Sequence, residues 1–306
     1  MCYSAQVIDA WETFVRKTGS SIDLIAFANL YGHRLSDRSV RIPKAVDAAF
    51  ALPKGDAEGT IQASIAAFNA QQSTQWEQEL FKQRKRLVDA ERSLQTKLTK
   101  GAIESKRIAG EKVSWLLGKL ADLRRAELLP KDSRIFPGWY APVIVMERGR
   151  KLVKPMRYQC RPAGKPAIHD RKYPGTYNAR RDNLEGFWRG LFGVSHGVMP
   201  VRRFYENVNR SGQNVVLEFS PDDGQPMLVA CLWSRWSGPQ GDLLSFAAIT
   251  DEPPPEVAAA GHDRCIIPIR PEHLDAWLNP DPNNLKACYA ILDDRQRPHY
   301  RHRLAA

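Results

Sequence analysis

A long stretch without proline, residues 57–129, constrains the fold of this chain more than any other feature. Its apolar residues recur mostly three, four, seven or eight positions apart, the spacing that lines one face of an α-helix. Gly101 interrupts the pattern, and Pro130 ends it. We therefore predict two long helices folded into an antiparallel hairpin with a turn near Lys100 and Gly101. The apolar positions are Ile61, Ile65, Phe68, Trp76, Leu80, Leu87, Leu94, Leu98, Ile103, Ile108, Val113, Leu116, Leu117, Leu120 and Leu123.

The sequence after Gly138 changes to short runs rich in β-branched residues, which are typical of strands. Turn residues separate these runs, and we predict one β-hairpin around Gly149 and a second around residues 222–224. Short strands with peripheral helices predict an α+β fold built on a curved antiparallel sheet or barrel. The predicted strands are residues 143–147, 151–156, 215–219, 227–233, 243–250 and 265–269.

The two ends of the chain have weaker patterns. Apolar residues from Ala5 to Val15 recur at helical spacing, so we predict a helix that begins a few residues after Cys2. A second helix is predicted over residues 22–31, irregular chain over 42–53, and a short helix over 272–278. The polar, basic end from Asp293 is expected to be loosely ordered.

Positive charge is concentrated in two blocks of the 306 residues, whose formal net charge is +11. Residues 82–125 hold 13 Lys or Arg against 5 Asp or Glu, and residues 148–203 hold 14 against 3. Such blocks favour a polyanionic partner, and nucleic acid before membrane, although a basic surface kept for solubility is the alternative. In the first block, a solvated helix face is the more common reading.

The five cysteines are widely spread and form no CxxC pair, which favours a reduced cytoplasmic location without a disulfide framework. We expect no cofactor and no metal. The charged N-terminus does not resemble a signal peptide, and no stretch is long and apolar enough to cross a bilayer.

Cys2 directly follows the initiator methionine. Removal of Met1 would leave an amine and a thiol on one carbon skeleton, which can condense with an aldehyde to a Schiff base and then close a thiazolidine ring. The pKa of the amine is about 8 and that of the thiol is about 8.5, so only a small part of each is in the reactive form at neutral pH. The reaction therefore benefits from an acid/base partner. A processed terminus without chemical consequence is the alternative.

Three further residues suit such a site. Asn178 lies in a run of arginines and aromatic residues, which is typical of single-strand binding but also of a polar loop. Glu206 follows two aromatic residues, where desolvation would raise its pKa towards a useful value, although an ion pair with a nearby arginine is as common. His262 precedes a predicted strand, where a purely structural histidine is the usual case.

Taken in order, several short motifs resemble the SRAP family, the SOS response-associated peptidases or abasic-site processing proteins. They are Met1-Cys2, Asn178-Ala179-Arg180, Phe204-Tyr205-Glu206 after Pro200, and His262-Asp263-Arg264 before a strand and helix. The resemblance covers roughly residues 1–30 and 134–280. It implies a catalytic domain formed by residues 1–54 and 130–290, an inserted helical hairpin over 55–129, and a basic tail over 291–306.

The resemblance also implies an activity. Family members expose the cysteine, bind single-stranded DNA and trap the aldehyde of an abasic site as a thiazolidine crosslink; strand cleavage by β-elimination and self-processing of the N-terminus are related expectations. Cys2 would be the nucleophile, Asn178 a polarising group, Glu206 a proton shuttle, and His262 an aid to sugar-ring opening and crosslink reversal. A cytoplasmic protein of this kind would associate with the nucleoid when bound to DNA. The residues expected to contact DNA are Arg157, Tyr158, Arg161, Arg180, Arg181, Arg202 and Arg203.

The chain departs from the family pattern in its surroundings. Tyr3 and Ser4 replace the usual Gly-Arg after the cysteine, and residues 201–203 replace Ala-Asp-Gly before the aromatic pair. Two other functions stay open at this point: a cysteine peptidase or amidase with an N-terminal nucleophile, and a basic nucleic-acid-binding module in which Cys2 is inert. The hairpin is expected to bind DNA or a protein partner.

Overall fold

The computed structural model describes residues 4–7, 11–210, 212–239 and 241–305. Within them the chain forms a large mixed sheet with helices on its periphery. The strands are β1 (Ser4–Val7), β2 (Ser21–Ile22), β3 (Arg134–Ile135), β4 (Tyr140–Glu147), β5 (Arg150–Tyr158), β6 (Asn178–Arg180), β7 (His196–Arg210), β8 (Gln213–Pro221), β9 (Met227–Gly238), β10 (Gly241–Asp251), β11 (Cys265–Ile266), β12 (Pro268–Ile269) and β13 (Tyr300–Leu304). The α-helices are α1 (Trp11–Thr18), α2 (Leu24–Ser36), α3 (Lys44–Ala48), α4 (Asp56–Thr96), α5 (Lys100–Arg124), α6 (His169–Lys172), α7 (Pro255–Ala259), α8 (Leu274–Leu278) and α9 (Leu285–Asp293).

Five strands close into a barrel in the order β9, β10, β5, β4, β7 and back to β9. All of these pairs are antiparallel except β10 with β5. Closure leaves these five strands without a free edge, which is how an antiparallel fold avoids unpaired backbone groups. The predicted α+β class with a barrel-like sheet is therefore confirmed.

The barrel wall separates two apolar clusters. Val143 and Val145 of β4 point to one side and Ile144 to the other, as the two-residue period of a strand requires. The cluster around Ile144 also contains residues of α2, α8 and α9, so it covers the outside of the wall. The cluster around Val143 fills the barrel interior.

Strand β7 is the element on which the sheet depends. Its first part pairs with β4 and β9, and its second part pairs with β1 and β8. The predicted hairpin around Gly149 is confirmed, since β4 and β5 pair across it with Gly149 at φ +71°. The predicted hairpin around residues 222–224 is wrong, because β8 and β9 are both partners of β7 and do not pair with each other among the described residues.

The N-terminal prediction also needs correction. Ser4–Val7 is a buried strand between β3 and β7, and the helix begins only at Trp11. Long-range pairing with β7 overrides the helical spacing of these few apolar residues. The second predicted helix is confirmed as α2, whereas the stretch expected to be irregular contains the short helix α3.

The C-terminal end is not loose. Strand β13 pairs with β8 over five residues, and Tyr300 is buried in the barrel-side cluster. The predicted short helix near residue 272 is confirmed as a 3₁₀ turn, Pro271–His273, followed by α8.

The two long helices form the predicted antiparallel hairpin. Leu80 of α4 packs against Leu116 and Leu120 of α5, and α4 ends at Thr96, slightly before the predicted turn. The Thr99 side chain accepts a hydrogen bond from the Ala102 amide and caps α5. We call residues 76–121 the arm. No helix in the described part of the chain is long and apolar enough to span a membrane.

Candidate active site

Glu206 and His262 meet in the interior of the protein, although they are 56 positions apart in sequence. The Nε2 atom of His262 lies 3.2 Å from Oε2 of Glu206. Glu206 is fully buried and His262 is 8% exposed. Two groups that the sequence singles out separately therefore form one contact.

Strand β7 explains the burial of Glu206. The two-residue period puts Glu206 on the same face as Phe204 and Val208, which belong to the barrel-side apolar cluster. Phe204 stacks on Phe219 of β8 with 5.0 Å between ring centroids. A carboxyl group in this apolar setting has to share a proton or pair with a cation to be tolerated.

A tight turn places His262. Gly261 has φ +99°, a conformation that side-chain-bearing residues rarely adopt, and it turns the chain from α7 towards β11. The Nδ1 atom of His262 lies 2.8 Å from the Arg264 carbonyl oxygen and donates a hydrogen bond to it. This fixes Nε2 as the atom that faces Glu206.

The contact between the two side chains joins a carboxyl group and an imidazole, each of which can carry a proton. The 3.2 Å distance is close enough for an ion pair when the imidazole is protonated and the carboxyl group is not. Burial lowers the pKa of His262, against the opposing effect of the Arg264 carbonyl. The pair can therefore accept and return a proton, the property that general acid/base catalysis requires.

Asn178 offers the third polar group. It is buried at the start of β6, and its Oδ1 accepts a hydrogen bond from the Tyr158 hydroxyl at 3.4 Å. Its Nδ2 has no hydrogen-bond partner among the described residues. Tyr158 is held by stacking on Phe246 and by an edge contact with Tyr177. The amide donor is thus oriented by its neighbours, and hydrogen-bonding capacity is left over for a ligand.

The sheet places Asn178 and the strand that follows His262 near the same end of β10. Thr250 of β10 pairs on one side with Arg180 of β6 and on the other with Ile266 of β11, the strand that follows His262. The hydrogen bond to Asp182 raises the pKa of the Arg180 guanidinium, and the negative charge of Asp263 raises it by a smaller amount. Strands β6 and β11 therefore flank the end of β10, although no hydrogen bond or ion pair joins Asn178 to Glu206 or His262 within the described chain.

The family comparison decides the identity of this arrangement. The family model of the SOS response associated peptidase (SRAP) matches residues 103–303, well over half of the chain. The chain belongs to the SRAP family. This membership associates it with the SOS response, the response to DNA damage. The matched region begins within α5 and includes Asn178, Glu206 and His262.

Three solved structures resemble this SRAP chain. A protein from Bordetella bronchiseptica is 19% identical with a TM-score of 0.48, over 60% of this chain and 90% of its own. A protein from Bacteroides thetaiotaomicron is 14% identical with a TM-score of 0.47, over 57% and 78%. A phage-related protein from Bordetella bronchiseptica is 19% identical with a TM-score of 0.43, over 60% and 85%. No curated protein matches the sequence significantly.

Cys2, the predicted nucleophile of this SRAP protein, lies outside the described residues. The nearest described residue is Ser4, which pairs with Tyr205, the residue before Glu206. Arg134 donates a hydrogen bond from Nε to the Ser4 hydroxyl at 3.0 Å, and its guanidinium lies 3.8 Å above the Tyr205 ring. Sequence reasoning missed Arg134, because only a contact across 130 residues gives it a role.

Two arginines predicted to contact DNA share one acidic partner. Arg157 lies 2.9 Å from Asp170, and Arg161 donates to the same carboxylate at 3.0 Å. Burial opposes ionisation of Asp170, but the hydrogen bond from Arg161 and the charge of Arg157 lower its pKa. The Arg161 guanidinium also lies 4.4 Å from the Trp236 ring centre. Tyr158 is fully buried, so its described contact is with Asn178 rather than with solvent.

The remaining predicted DNA contacts are spread over other surfaces. Arg180 is exposed and pairs with Asp182, and Arg181 pairs with Asp251 and Asp293. Arg203 donates to Glu218 at 2.9 Å. Arg202 is half-buried, and its Nε makes no hydrogen bond among the described residues. Their role in DNA contact stays a prediction.

The other cysteines are poor nucleophiles. Cys160, Cys231, Cys265 and Cys288 are buried free thiols. Burial raises the pKa of Cys160 to about 12, so little thiolate exists at neutral pH. No group of three or more His, Cys, Asp or Glu side chains in the described chain is arranged to hold a metal ion.

Proposed function

We propose that this SRAP protein captures abasic sites in single-stranded DNA through Cys2, after removal of Met1 has exposed the amine and thiol of that residue. The observation that carries the proposal is the buried contact between Glu206 and His262 beside the strand that leads back to Cys2. A solvent-exposed pair at the same spacing would support it far less, because exposed carboxylates and imidazoles are common.

The reach of the chain supports the proposal. Cys2 precedes Ser4 by two residues, a length of at most about 7 Å of extended backbone. Ser4 is paired with Tyr205, next to Glu206 in the same strand. A residue two positions before Ser4 therefore lies within a short backbone distance of the strand that carries Glu206.

The chemistry follows from the groups at hand. The neutral amine of Cys2 attacks the aldehyde carbon of the ring-opened sugar, and loss of water gives an imine. The thiol then adds across the carbon–nitrogen double bond, so that a carbon–sulfur bond closes the thiazolidine and the sulfur's proton ends on nitrogen. Glu206 and His262 would carry the protons of these steps, and the Nδ2 donor of Asn178 would stabilise the sugar oxygen.

Two further reactions belong to the same proposal. Loss of the proton next to the imine carbon would break the bond to the 3′ phosphate, which is strand cleavage by β-elimination. Hydrolysis of the Met1–Cys2 bond would be the peptidase step that exposes the nucleophile, with Glu206 as the base for the attacking water. Both reactions need the same proton shuttle.

The test is a denaturing gel of protein incubated with single-stranded DNA that carries one abasic site. We expect a covalent species with the wild type and none with Cys2→Ser or Cys2→Ala, since neither variant has both the amine and the thiol. Undamaged DNA of the same sequence is the matched substrate control. Absence of the species, with Met1 shown to be removed, would contradict the proposal and favour peptidase action on another protein.

A further inference from the structure

The arm stands apart from the barrel. Asp122 and Arg125 at the end of α5 accept hydrogen bonds from Lys44 through their carbonyl oxygens, and this anchors the base of the hairpin. Beyond this base, the side-chain hydrogen bonds and ion pairs of residues 78–121 stay within the hairpin, as far as the structure describes the chain. The arm is about 30 Å long from Trp76 to Thr96, at about 1.5 Å per helical residue.

The acidic side chains of the arm are already occupied. The arm carries six of them and eleven Lys or Arg. Glu104 and Glu111 both hold Arg107, Asp89 holds Arg92, and Glu79 accepts a hydrogen bond from Gln83. The other two pair across the helices, Glu77 with Arg124 and Glu91 with Lys106.

Eight cations are left over. They are exposed, and none of them makes an ion pair within the described residues. The set is Lys82, Arg84, Lys85, Arg86, Lys97, Lys100, Lys112 and Lys119. Since the acids of the arm already have partners within the hairpin, this excess positive charge is available to a partner outside the hairpin.

Part of the excess lines a groove between the two helices. Lys82, Lys85 and Arg86 border it on α4, and the Arg86 Nε donates to the Ser105 hydroxyl of α5 at 2.9 Å. The groove has a volume of about 570 Å³ and is also lined by Asp89, which pairs with Arg92, and by Ser93, whose hydroxyl donates to the Asp89 carbonyl oxygen. Cations along a groove are groups that bind phosphate oxygens.

We infer that the arm is a second DNA-binding surface, which holds the phosphodiester backbone at a distance from the reaction site. Charge complementarity carries the inference. About 30 Å of duplex carries roughly eighteen phosphates, and a single strand carries about half as many, so either form supplies enough phosphates for the eight exposed cations of a rod of this length. This role deepens the proposed function, on which it rests for its DNA substrate, because it would hold flanking DNA while the reaction site holds the lesion.

Two exposed aromatic residues extend the surface. Phe81 is 73% exposed and Trp115 is 57% exposed, and the Lys119 ammonium lies 5.5 Å from the Trp115 ring centre. Exposed rings next to cations suit stacking on unpaired bases as well as phosphate contacts. A preference for single strands would therefore point to these rings, and equal binding of duplex would point to phosphate contacts alone.

The experiment measures non-covalent binding of undamaged DNA about 30 nucleotides long, single-stranded and duplex, at several salt concentrations. All proteins carry Cys2→Ala, so that no covalent step contributes. The test variant is Lys82→Gln, Arg84→Gln and Lys85→Gln, which neutralises the centre of the excess charge and keeps good helix formers. The control is Lys17→Gln, Lys54→Gln and Lys286→Gln, which removes the same charge from exposed positions outside the arm.

We expect the test variant to weaken binding about tenfold or more near about 0.15 M salt. Its salt slope should fall by up to about 3, or about 1 for each phosphate that the arm no longer neutralises. The control should change the affinity much less. Equal reductions in the two variants would overturn the inference. So would unchanged DNA binding together with weaker binding to phosphatidylserine vesicles, which would assign the arm to membranes.

A second measurement separates this inference from the proposed function. With Cys2 present, the test variant should slow covalent capture less on an abasic strand of about eight nucleotides than on one of about 30, because the short strand leaves fewer flanking phosphates for the arm to contact. Failure of the wild type to form any covalent species would end the proposed function but leave the binding result of the arm intact.

Discussion

The barrel and the arm use charge in opposite ways. In the barrel, Glu206 is fully buried against His262, so water does not screen the charge that either side chain carries. In the arm, the eight excess cations are exposed, and the acidic side chains of the arm already have other partners. Any binding by these cations therefore depends on how many there are and how they are spaced. The comparison teaches that the proposed reaction site would depend on the exclusion of water, whereas DNA binding by the proposed surface of the arm would depend on salt.

The largest expected effect is at the buried pair. Glu206→Gln keeps the shape of the side chain but removes its acid/base function, so the rate of covalent capture should fall about 10²- to 10⁴-fold. The measurement is a single-turnover time course on abasic single-stranded DNA. Glu218→Gln is the matched control, since Glu218 is another buried acid of the sheet but pairs with Arg203. A comparable reduction in both variants would show that Glu206 acts through stability alone.

Cavities should have different consequences in the two regions. Ile144→Ala in the barrel wall is expected to reduce the free energy of unfolding by about 2–5 kcal/mol. Leu116→Ala removes part of the three-leucine cluster in the arm and should open the arm locally, leaving the barrel folded. Hydrogen exchange resolved by peptide provides the measurement. Faster exchange throughout the barrel in Leu116→Ala would mean that the two regions unfold together.

Acid should destabilise the barrel through His196. Its Nδ1 faces the Trp277 carbonyl, its Nε2 accepts from the Gly193 amide, and burial lowers its pKa to about 4. In the unfolded chain His196 binds a proton at about pH 6.5, whereas in the folded protein it does so only at about pH 4. The neutral buried His196 therefore contributes fully to the free energy of unfolding above about pH 6.5, and this contribution disappears as the pH falls towards about 4. The decrease in the free energy of unfolding amounts to about 3 kcal/mol.

Urea unfolding at about pH 7 and about pH 4.5 measures this effect. His196→Gln should be less stable than the wild type at neutral pH but should lose less stability on acidification. The pKa of His262 is also lowered by burial and contributes with the same sign, so only the difference between the two proteins is assigned to His196. Parallel pH profiles would contradict the assignment.

The smallest expected effect is at Arg134, a positioning residue. Arg134→Gln removes the interaction with the Tyr205 ring and weakens the hold on Ser4, so the start of β1 should be less well oriented. We expect the rate of covalent capture to fall about tenfold, or about 1.4 kcal/mol, with unchanged affinity for undamaged DNA. A weaker affinity without a slower rate would instead make Arg134 a DNA-binding residue.

The same contrast explains what sequence could predict. The arm follows from local periodicity, because Trp76 and Leu80 on α4, and Leu116 and Leu120 on α5, lie four positions apart within each helix and pack together in one small cluster. The class of the barrel follows from strand and turn signals, but its pairing does not, since β8 and β9 are both partners of β7. Local sequence signals cannot reveal which distant strand forms the backbone hydrogen bonds with the edge of a given strand.

The site was predictable as a set of residue types and not as a geometry. Glu206 and His262 stand out in their local settings, yet their 3.2 Å contact depends on the register of β7 and the Gly261 turn. Asn178 was predictable as a polar group, whereas its support by Tyr158 required the sheet. The assignment of Tyr158 to DNA failed to anticipate its burial, because exposure cannot be read from an aromatic residue in a basic run.

Intact-mass measurement of the covalent species tests the central claim most directly. After reaction with a single-stranded oligonucleotide bearing one abasic site, we predict the mass of the protein without Met1 plus that of the oligonucleotide, less a water molecule. Peptide mapping should place the modification on Cys2. A protein that retains Met1 and still forms the adduct, or an adduct on any other residue, would contradict the account.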